Sequence, residues 1–108
     1  TSRIEEARAA LAGGADLCGV GPMHSSGTKH KDRIVGPAYL AEFLAWGGLP
    51  HLAIGGIDAE RAGALAAAGA RGVAVCGAVA GAEDPAAATR AILEAMDRGR
   101  AAATEPAP

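Results

Sequence analysis

The sequence predicts an α/β fold of three βα units with parallel strands, of the kind that builds a barrel or a doubly wound sheet, and here part of a larger barrel. Three observations carry this expectation. Short apolar runs at 17–20, 51–54 and 73–76 alternate with helix-length segments, in the order α-βα-βα-βα. The runs are apolar throughout rather than alternating, as strands buried on both faces are. Finally, Gly14-Ala15-Asp16-Leu17-Cys18-Gly19 echoes Gly69-Ala70-Arg71-Gly72-Val73-Ala74, and each places a helix-ending Gly-Ala directly before a strand. Such a repeat implies right-handed helical crossovers between parallel strands. Three strands do not close a barrel. A complete one takes ~200 residues or more, and a three-stranded parallel sheet leaves apolar edges unpaired. The 108 residues are therefore expected to need an upstream barrel half, or self-association, to complete the sheet.

Each element has its own local signature. Ser2-Arg3-Ile4-Glu5 matches a capping box with Ser2 as N-cap and Glu5 at the third helical position. Ile4, Ala7 and Leu11 then recur at helical spacing until Gly13-Gly14. The run 17–20 breaks at Gly21-Pro22, a step that cannot continue a strand, and a loop follows as far as Gly36. Pro37 suits the first turn of the next helix, where Leu40, Phe43 and Leu44 make an apolar face ended by Gly47-Gly48. After the strand at 51–54, Asp58 is an N-cap for a helix through Ala68, stopped by Gly69. Gly63 weakens that helix by about 1 kcal/mol relative to Ala, and close packing against a sheet is the expected reason. The strand at 73–76 leads through Gly77 to Asp84-Pro85, a cap and first-turn pair that opens the last helix. Ala88, Ile92 and Met96 form its inner face and Gly99 ends it. The domain is thus expected over 1–99, with a disordered Ala/Pro tail at 100–108.

Composition narrows the function classes. Half the residues are hydrophobic, yet Tyr39, Phe43 and Trp46 are the only aromatics, so alanine and glycine supply much of a closely packed core. A net charge of −2 argues against an electrostatic nucleic-acid or membrane-surface binder. No apolar run approaches the ~20 residues of a membrane span. The first residues lack the layout of a signal peptide, and without an initiator Met the N-terminus is expected to lie upstream. Cys18 and Cys76 sit in separate strand-like runs without partners at zinc-ligand spacing, which predicts two buried free thiols in a reducing cytoplasm.

The candidate site is the loop that follows the first strand, Gly19-Val20-Gly21-Pro22-Met23-His24-Ser25-Ser26-Gly27-Thr28-Lys29-His30-Lys31. It crowds hydroxyls, cations and small residues into a short span, which is what a bound phosphate or pyrophosphate requires. A solvated Gly/Ser-rich loop has the same composition, so the other loops decide. In a barrel, ligands bind at the C-terminal ends of the strands, and a phosphate site is frequently built from the last two loops. Gly55, Gly56, Cys76 and Gly77 supply such backbone donors, forming a wall opposite the first loop. Lys29 is placed to meet a second, more highly charged anion, and Thr28 to donate a hydroxyl. His24 lies within the loop, whereas His51 opens a strand and reads as a packed core histidine. No Ser/His/Asp or Cys/His arrangement and no acidic pair at metal-binding spacing is legible.

Gly14-Ala15-Asp16, Gly19-Val20-Gly21-Pro22, Thr28-Lys29, Ala53-Ile54-Gly55-Gly56-Ile57 and Gly69-Ala70-x-Gly72-Val73-Ala74-Val75 occur in an order and spacing that resembles the thiamine phosphate synthase family. The resemblance covers essentially residues 5–93. It implies that these three βα units are the C-terminal portion of a (β/α)8 TIM barrel that couples hydroxymethylpyrimidine diphosphate to thiazole phosphate, releasing pyrophosphate, with Mg2+. It further implies that Ser26 and Thr28 lie near the thiazole phosphate and that Lys29, the catalytic residue of the set, faces the departing pyrophosphate. Gly55 and Gly56, with the backbone of Cys76 and Gly77, then hold the thiazole phosphate. The chain departs from the family pattern in two loops. His24-Ser25-Ser26-Gly27-Thr28-Lys29 stands where the family usually has Phe-Pro-Thr-x-Thr-Lys, and Cys76-Gly77 stands where Ser-Ala is common. The magnesium-binding acids and the pyrimidine diphosphate site belong to the N-terminal half of that family, so this segment alone is expected to be inactive. Two other readings compete. One is the related thiazole tautomerase branch, which isomerises rather than couples; the other is a non-catalytic phosphate-ligand binding module.

Overall fold

The computed structural model describes residues 1–25 and 34–104. Its elements run α1 (Ile4–Ala12), β1 (Cys18–Val20), α2 (Gly36–Trp46), β2 (His51–Ile54), α3 (Ala59–Ala67), β3 (Val73–Ala74), α4 (Gly77–Ala80) and α5 (Pro85–Thr104). The three strands form one parallel sheet in the order β1-β2-β3. Cys18 pairs with His51 and Val20 with Ala53, while Ala53 and Ile54 pair with Val73 and Ala74. The α/β, three-unit parallel architecture expected from the alternating runs is present.

The helix ends show why the internal repeat exists. In α1 the N–H of Ala15 donates to Ala10 and that of Gly14 to Leu11; in α3 the N–H of Ala70 donates to Leu65 and that of Gly69 to Ala66. Both are the same paired closure of a helix C-terminus. Each Gly-Ala step thus ends its helix and aims the chain at the next strand. At the other end of α1 the cap lies one residue later than the sequence suggests. Arg3 is the N-cap, and Glu6 rather than Glu5 folds back to accept from the N–H groups of Ser2 (2.7 Å) and Arg3 (3.1 Å). Those donors, with the Ser2 hydroxyl, hold the Glu6 carboxyl below the ordinary glutamate range.

The core sits between the sheet and the helices. Phe43, Met23, Leu40, Leu65 and Val20 are fully buried. Phe43 is its hub, with edge-on contacts to Tyr39 (6.2 Å between centroids), Trp46 (5.4 Å) and His51 (5.6 Å). The sheet is covered on one face. Cys18, Val20, His51 and Ala53 are buried, while Gly19 and Ile54 between and beyond them are exposed. Burial on both faces, expected from the apolar runs, is therefore not reached here; the face that a closed barrel turns inward has no cover among the described residues.

Four further expectations are corrected. β3 stops at Ala74 rather than residue 76, because its partner β2 ends at Ile54 and the chain turns away at Gly55. Cys76, beyond the strand, is consequently exposed instead of buried, while Cys18 is buried as expected. Gly63 packs on α5, not on the sheet: a Cβ there would lie 3.1 Å from the Ala95 carbonyl oxygen. Gly99 does not end the last helix, which continues to Thr104. Gly99 instead lies against the Gly63 carbonyl, where a glycine lets α3 and α5 approach, and Ala101-Ala102-Ala103 after it are the strongest of helix formers. The part of the expected tail over 105–108 lies outside the described residues.

The first residue of the chain behaves as part of the sheet. The Thr1 amino group and hydroxyl donate to the Gly19 carbonyl, and the Gly21 N–H donates to the Thr1 carbonyl (3.0 Å). Thr1 thereby brackets Val20 as a residue of a parallel neighbouring strand does. The Tyr39 hydroxyl lies 2.8 Å from Thr1 Oγ1 and 3.1 Å from the Arg3 carbonyl, and tethers both to α2.

Candidate functional site

Parallel pairing brings the segments after the strands to one end of the sheet. Because Ile54 is level with Ala74, Gly55-Gly56 and Cys76-Gly77 leave adjacent strands at the same edge. The segment after β1 joins them there. The Met23 N–H donates to the Ile54 carbonyl (2.9 Å) and the His24 N–H to the Gly55 carbonyl (3.0 Å), so residues 23–24 run along the end of β2. The Gly21–Pro22 peptide is cis. The Pro22 carbonyl then accepts from Val35 (3.0 Å) and Gly36 (3.3 Å), which ties this segment to the start of α2.

Glycine is required at both positions of the turn after β2. Gly55 has φ 111° and Gly56 has φ 60°, a region that residues with a Cβ seldom occupy. Space excludes a Cβ as well. At Gly55 it would lie 2.8 Å from Pro22 Cα, and at Gly56 it would collide with the Ser25 carbonyl oxygen. The two glycine-containing loops singled out in the sequence are thus packed backbone to backbone. They are not facing walls over residues 22–25, as expected from the sequence, but one continuous surface.

α3 starts directly after this turn. Asp58 caps it as expected, accepting from the Arg61 N–H at 2.9 Å. The Arg61 guanidinium reaches back to donate to the Gly56 carbonyl at 2.8 Å. His24 is half-buried in the same corner. Burial first, and then the positive charge of Arg61, push its pKa below the ordinary histidine value, with Asp58 opposing. Its imidazole is therefore neutral at neutral pH. Arg61 had no signal in the linear sequence beyond its place three residues after the cap.

Of the predicted site residues, Gly55, Gly56, Cys76 and Gly77 lie at the strand ends as expected. Cys76 is the N-cap of α4, an unanticipated one-turn helix. Ser26, Thr28 and Lys29 lie outside the described residues. His51 is the core histidine that its position suggested. It is 7% exposed, packed on Phe43, and its Nε2 lies 3.4 Å from the Arg71 N–H. A separate cleft of about 520 Å³ opens between the N-termini of α1 and α2, lined by Arg3, Ile4, Val35, Tyr39 and Glu42 among others. It is not formed by the glycine turns.

A family profile described as thiamine monophosphate synthase matches residues 1–79. The thiamine-phosphate synthase of Prochlorococcus marinus is 41% identical over 89% of this chain, which corresponds to 27% of that protein. The thiamine-phosphate synthase of Haloarcula marismortui is 40% identical over 92% of the chain and 49% of its own length. Among solved structures, the thiamine phosphate pyrophosphorylase of Pyrococcus furiosus superimposes with a TM-score of 0.82 at 31% identity, over 93% of this chain and 48% of that one. The chain therefore spans about a quarter to a half of the length of these relatives.

Proposed function

The chain belongs to the thiamine monophosphate synthase family, and on that premise we propose that it is the phosphate-binding half of a thiamine phosphate synthase. The observation that carries the proposal is the interlock of Pro22–Ser25 with Gly55-Gly56 beside Cys76-Gly77, because it gathers three glycine turns at the strand ends where barrels bind ligands.

In the reaction proposed for the whole protein, the bond between the pyrimidine methylene and its diphosphate breaks and pyrophosphate takes the electron pair. The thiazole nitrogen then donates its lone pair to the methylene cation, and a carbon–nitrogen bond forms. Backbone N–H groups of Gly55, Gly56, Cys76 and Gly77 hold the thiazole phosphate, with Ser26 and Thr28 adding hydroxyls. Lys29 stabilises the charge that develops on the departing pyrophosphate. Positioning two substrates beside one another supplies much of the remaining acceleration. Magnesium is assigned to carboxylates of the upstream half. No group of three His, Cys, Asp or Glu side chains able to hold a metal is present among the described residues. The small-molecule substrates leave no role for nucleic acid or a membrane, and no helix among the described residues is long and apolar enough to cross one. A reducing cytoplasm, compatible with the free thiols Cys18 and Cys76, is the proposed compartment.

The test uses the full-length protein that carries this segment. It is expected to form thiamine phosphate from the two precursors, and Lys29→Ala is expected to lower kcat by about a hundredfold, as loss of one transition-state donor does. No product from the intact protein, together with interconversion of thiazole isomers, would instead assign the tautomerase branch.

A further inference from the structure

The glycine turn after β2 is held from two sides. The Gly55 carbonyl takes the His24 N–H at 3.0 Å, and the Gly56 carbonyl takes the Arg61 guanidinium at 2.8 Å. In a trans peptide the carbonyl and the following N–H point in opposite directions within one plane. Fixing the Gly55 carbonyl therefore directs the Gly56 N–H, and fixing the Gly56 carbonyl directs the Ile57 N–H. Among the described residues no protein acceptor takes either N–H.

We propose that Arg61 is a positioning residue, whose hold on the Gly56 carbonyl keeps the Ile57 N–H directed at a bound phosphate, beside the Gly56 N–H that the His24 bond to the Gly55 carbonyl sets. The inference rests on the phosphate-binding role proposed above for Gly55-Gly56 and adds what sets that turn. The φ of 60° at Gly56 is one that glycine adopts and leaves at little cost, so a hold on its carbonyl from outside the turn adds to the packing against Ser25 in keeping the peptide in place. Arg61 is well suited to this. Its own N–H is fixed to Asp58 at 2.9 Å, so the backbone carrying the guanidinium is part of a capped helix start. A guanidinium donor also forms a stronger hydrogen bond than a neutral one. Its charge lies beside the turn and adds to the attraction for an anion.

The measurement is a titration of the full-length protein with inorganic phosphate, followed by the backbone amide resonances of Gly56 and Ile57. Arg61→Met keeps the length and helix propensity of the side chain but removes the donor. It is expected to weaken phosphate binding about tenfold, which is the weight of one charge-assisted hydrogen bond, and to speed amide exchange at Ile57 more than at Gly56. Arg61→Lys, which keeps one cationic donor, is expected to recover affinity to within about threefold of the parent. A purely structural role for Arg61 would alter stability and leave these amide responses unchanged. Unaltered phosphate affinity in Arg61→Met, or no phosphate response at the two amides in the parent protein, overturns the inference. Phosphate binding at these amides without synthesis of thiamine phosphate defeats the proposed function alone. Synthesis with full phosphate affinity in Arg61→Met defeats the inference alone.

Discussion

His51 opens β2 with its imidazole closed in by Phe43 and the start of the neighbouring strand. Burial is the main cause of its lowered pKa, and the nearby positive charge of Arg71 acts in the same direction. The sign of the pH effect follows from which state binds the proton more tightly. In the unfolded chain the imidazole titrates near 6.5; in the fold it resists protonation until a lower pH. Above that value both states are neutral and His51 adds no pH dependence. As pH falls below about 6.5 the unfolded state takes up the proton first and stability drops. Thermal melts of the full-length protein between pH 7.5 and about 5 are expected to show this acid loss, and His51→Gln to lessen it. An unchanged acid slope would mean that other groups carry it. His24 illustrates a different point at this scale. Its place in the loop was legible, but its lowered pKa comes first from burial and then from Arg61, thirty-seven positions away in sequence, and neither cause is visible in the loop itself.

Apart from the one-turn α4, helices and strands were legible in existence and order because their causes are local. The Gly-Ala closures, the Asp58 cap, the Pro37 entry and the Asp84-Pro85 start all act within one turn of the chain, and each is found. Boundaries set by a neighbour were missed. β3 is two residues long because β2 offers no further partner, and Gly99 sits inside a helix because α3 approaches it. The α3–α5 contact yields a prediction with an inverted sign. In an isolated helix Gly99→Ala would gain about 1 kcal/mol. Here the new Cβ would press on the Gly63 carbonyl and lie 3.2 Å from the Ala67 nitrogen. Gly99→Ala is therefore expected to destabilise the full-length protein by about 1–3 kcal/mol, the usual penalty for overpacking. A rise in the urea midpoint would show that the helices can move apart without loss.

For the whole molecule, the open face of the sheet is the decisive feature. Leu17, directly before β1, is 50% exposed and Ile54, the last residue of β2, is 47% exposed, whereas Cys18, Val20, His51 and Ala53 on the other face are buried. The relatives are two to nearly four times as long as the matched portion, since the chain accounts for 49% and 27% of two of them. If the rest of the barrel closes over this face, Ile54 is buried in the intact protein. Ile54→Asn is then expected to cost the full-length protein about 2 kcal/mol or more, since it places an amide in an apolar interior. Leu93→Asn on the outer side of α5, at a site 58% exposed, is expected to change stability by no more than about 0.5 kcal/mol. Equal urea midpoints for the two variants would mean that the face stays open.

By itself the sequence determined the βα repeat, the Asp58 and Asp84 caps and the Gly-Ala helix stops, the parallel strands and the glycine turns that mark one end of the sheet. Those follow from interactions between residues a few positions apart, which leave a pattern in the linear order. Tertiary structure alone decided that the Gly21-Pro22 and Gly55-Gly56 turns form one surface, and that Arg61 holds that surface from a neighbouring helix. It also decided that Gly63 and Gly99 serve a helix contact rather than a sheet contact or a stop. Each of these depends on which backbone comes within a few ångströms of which, and the distance between two segments in space leaves no mark in either one.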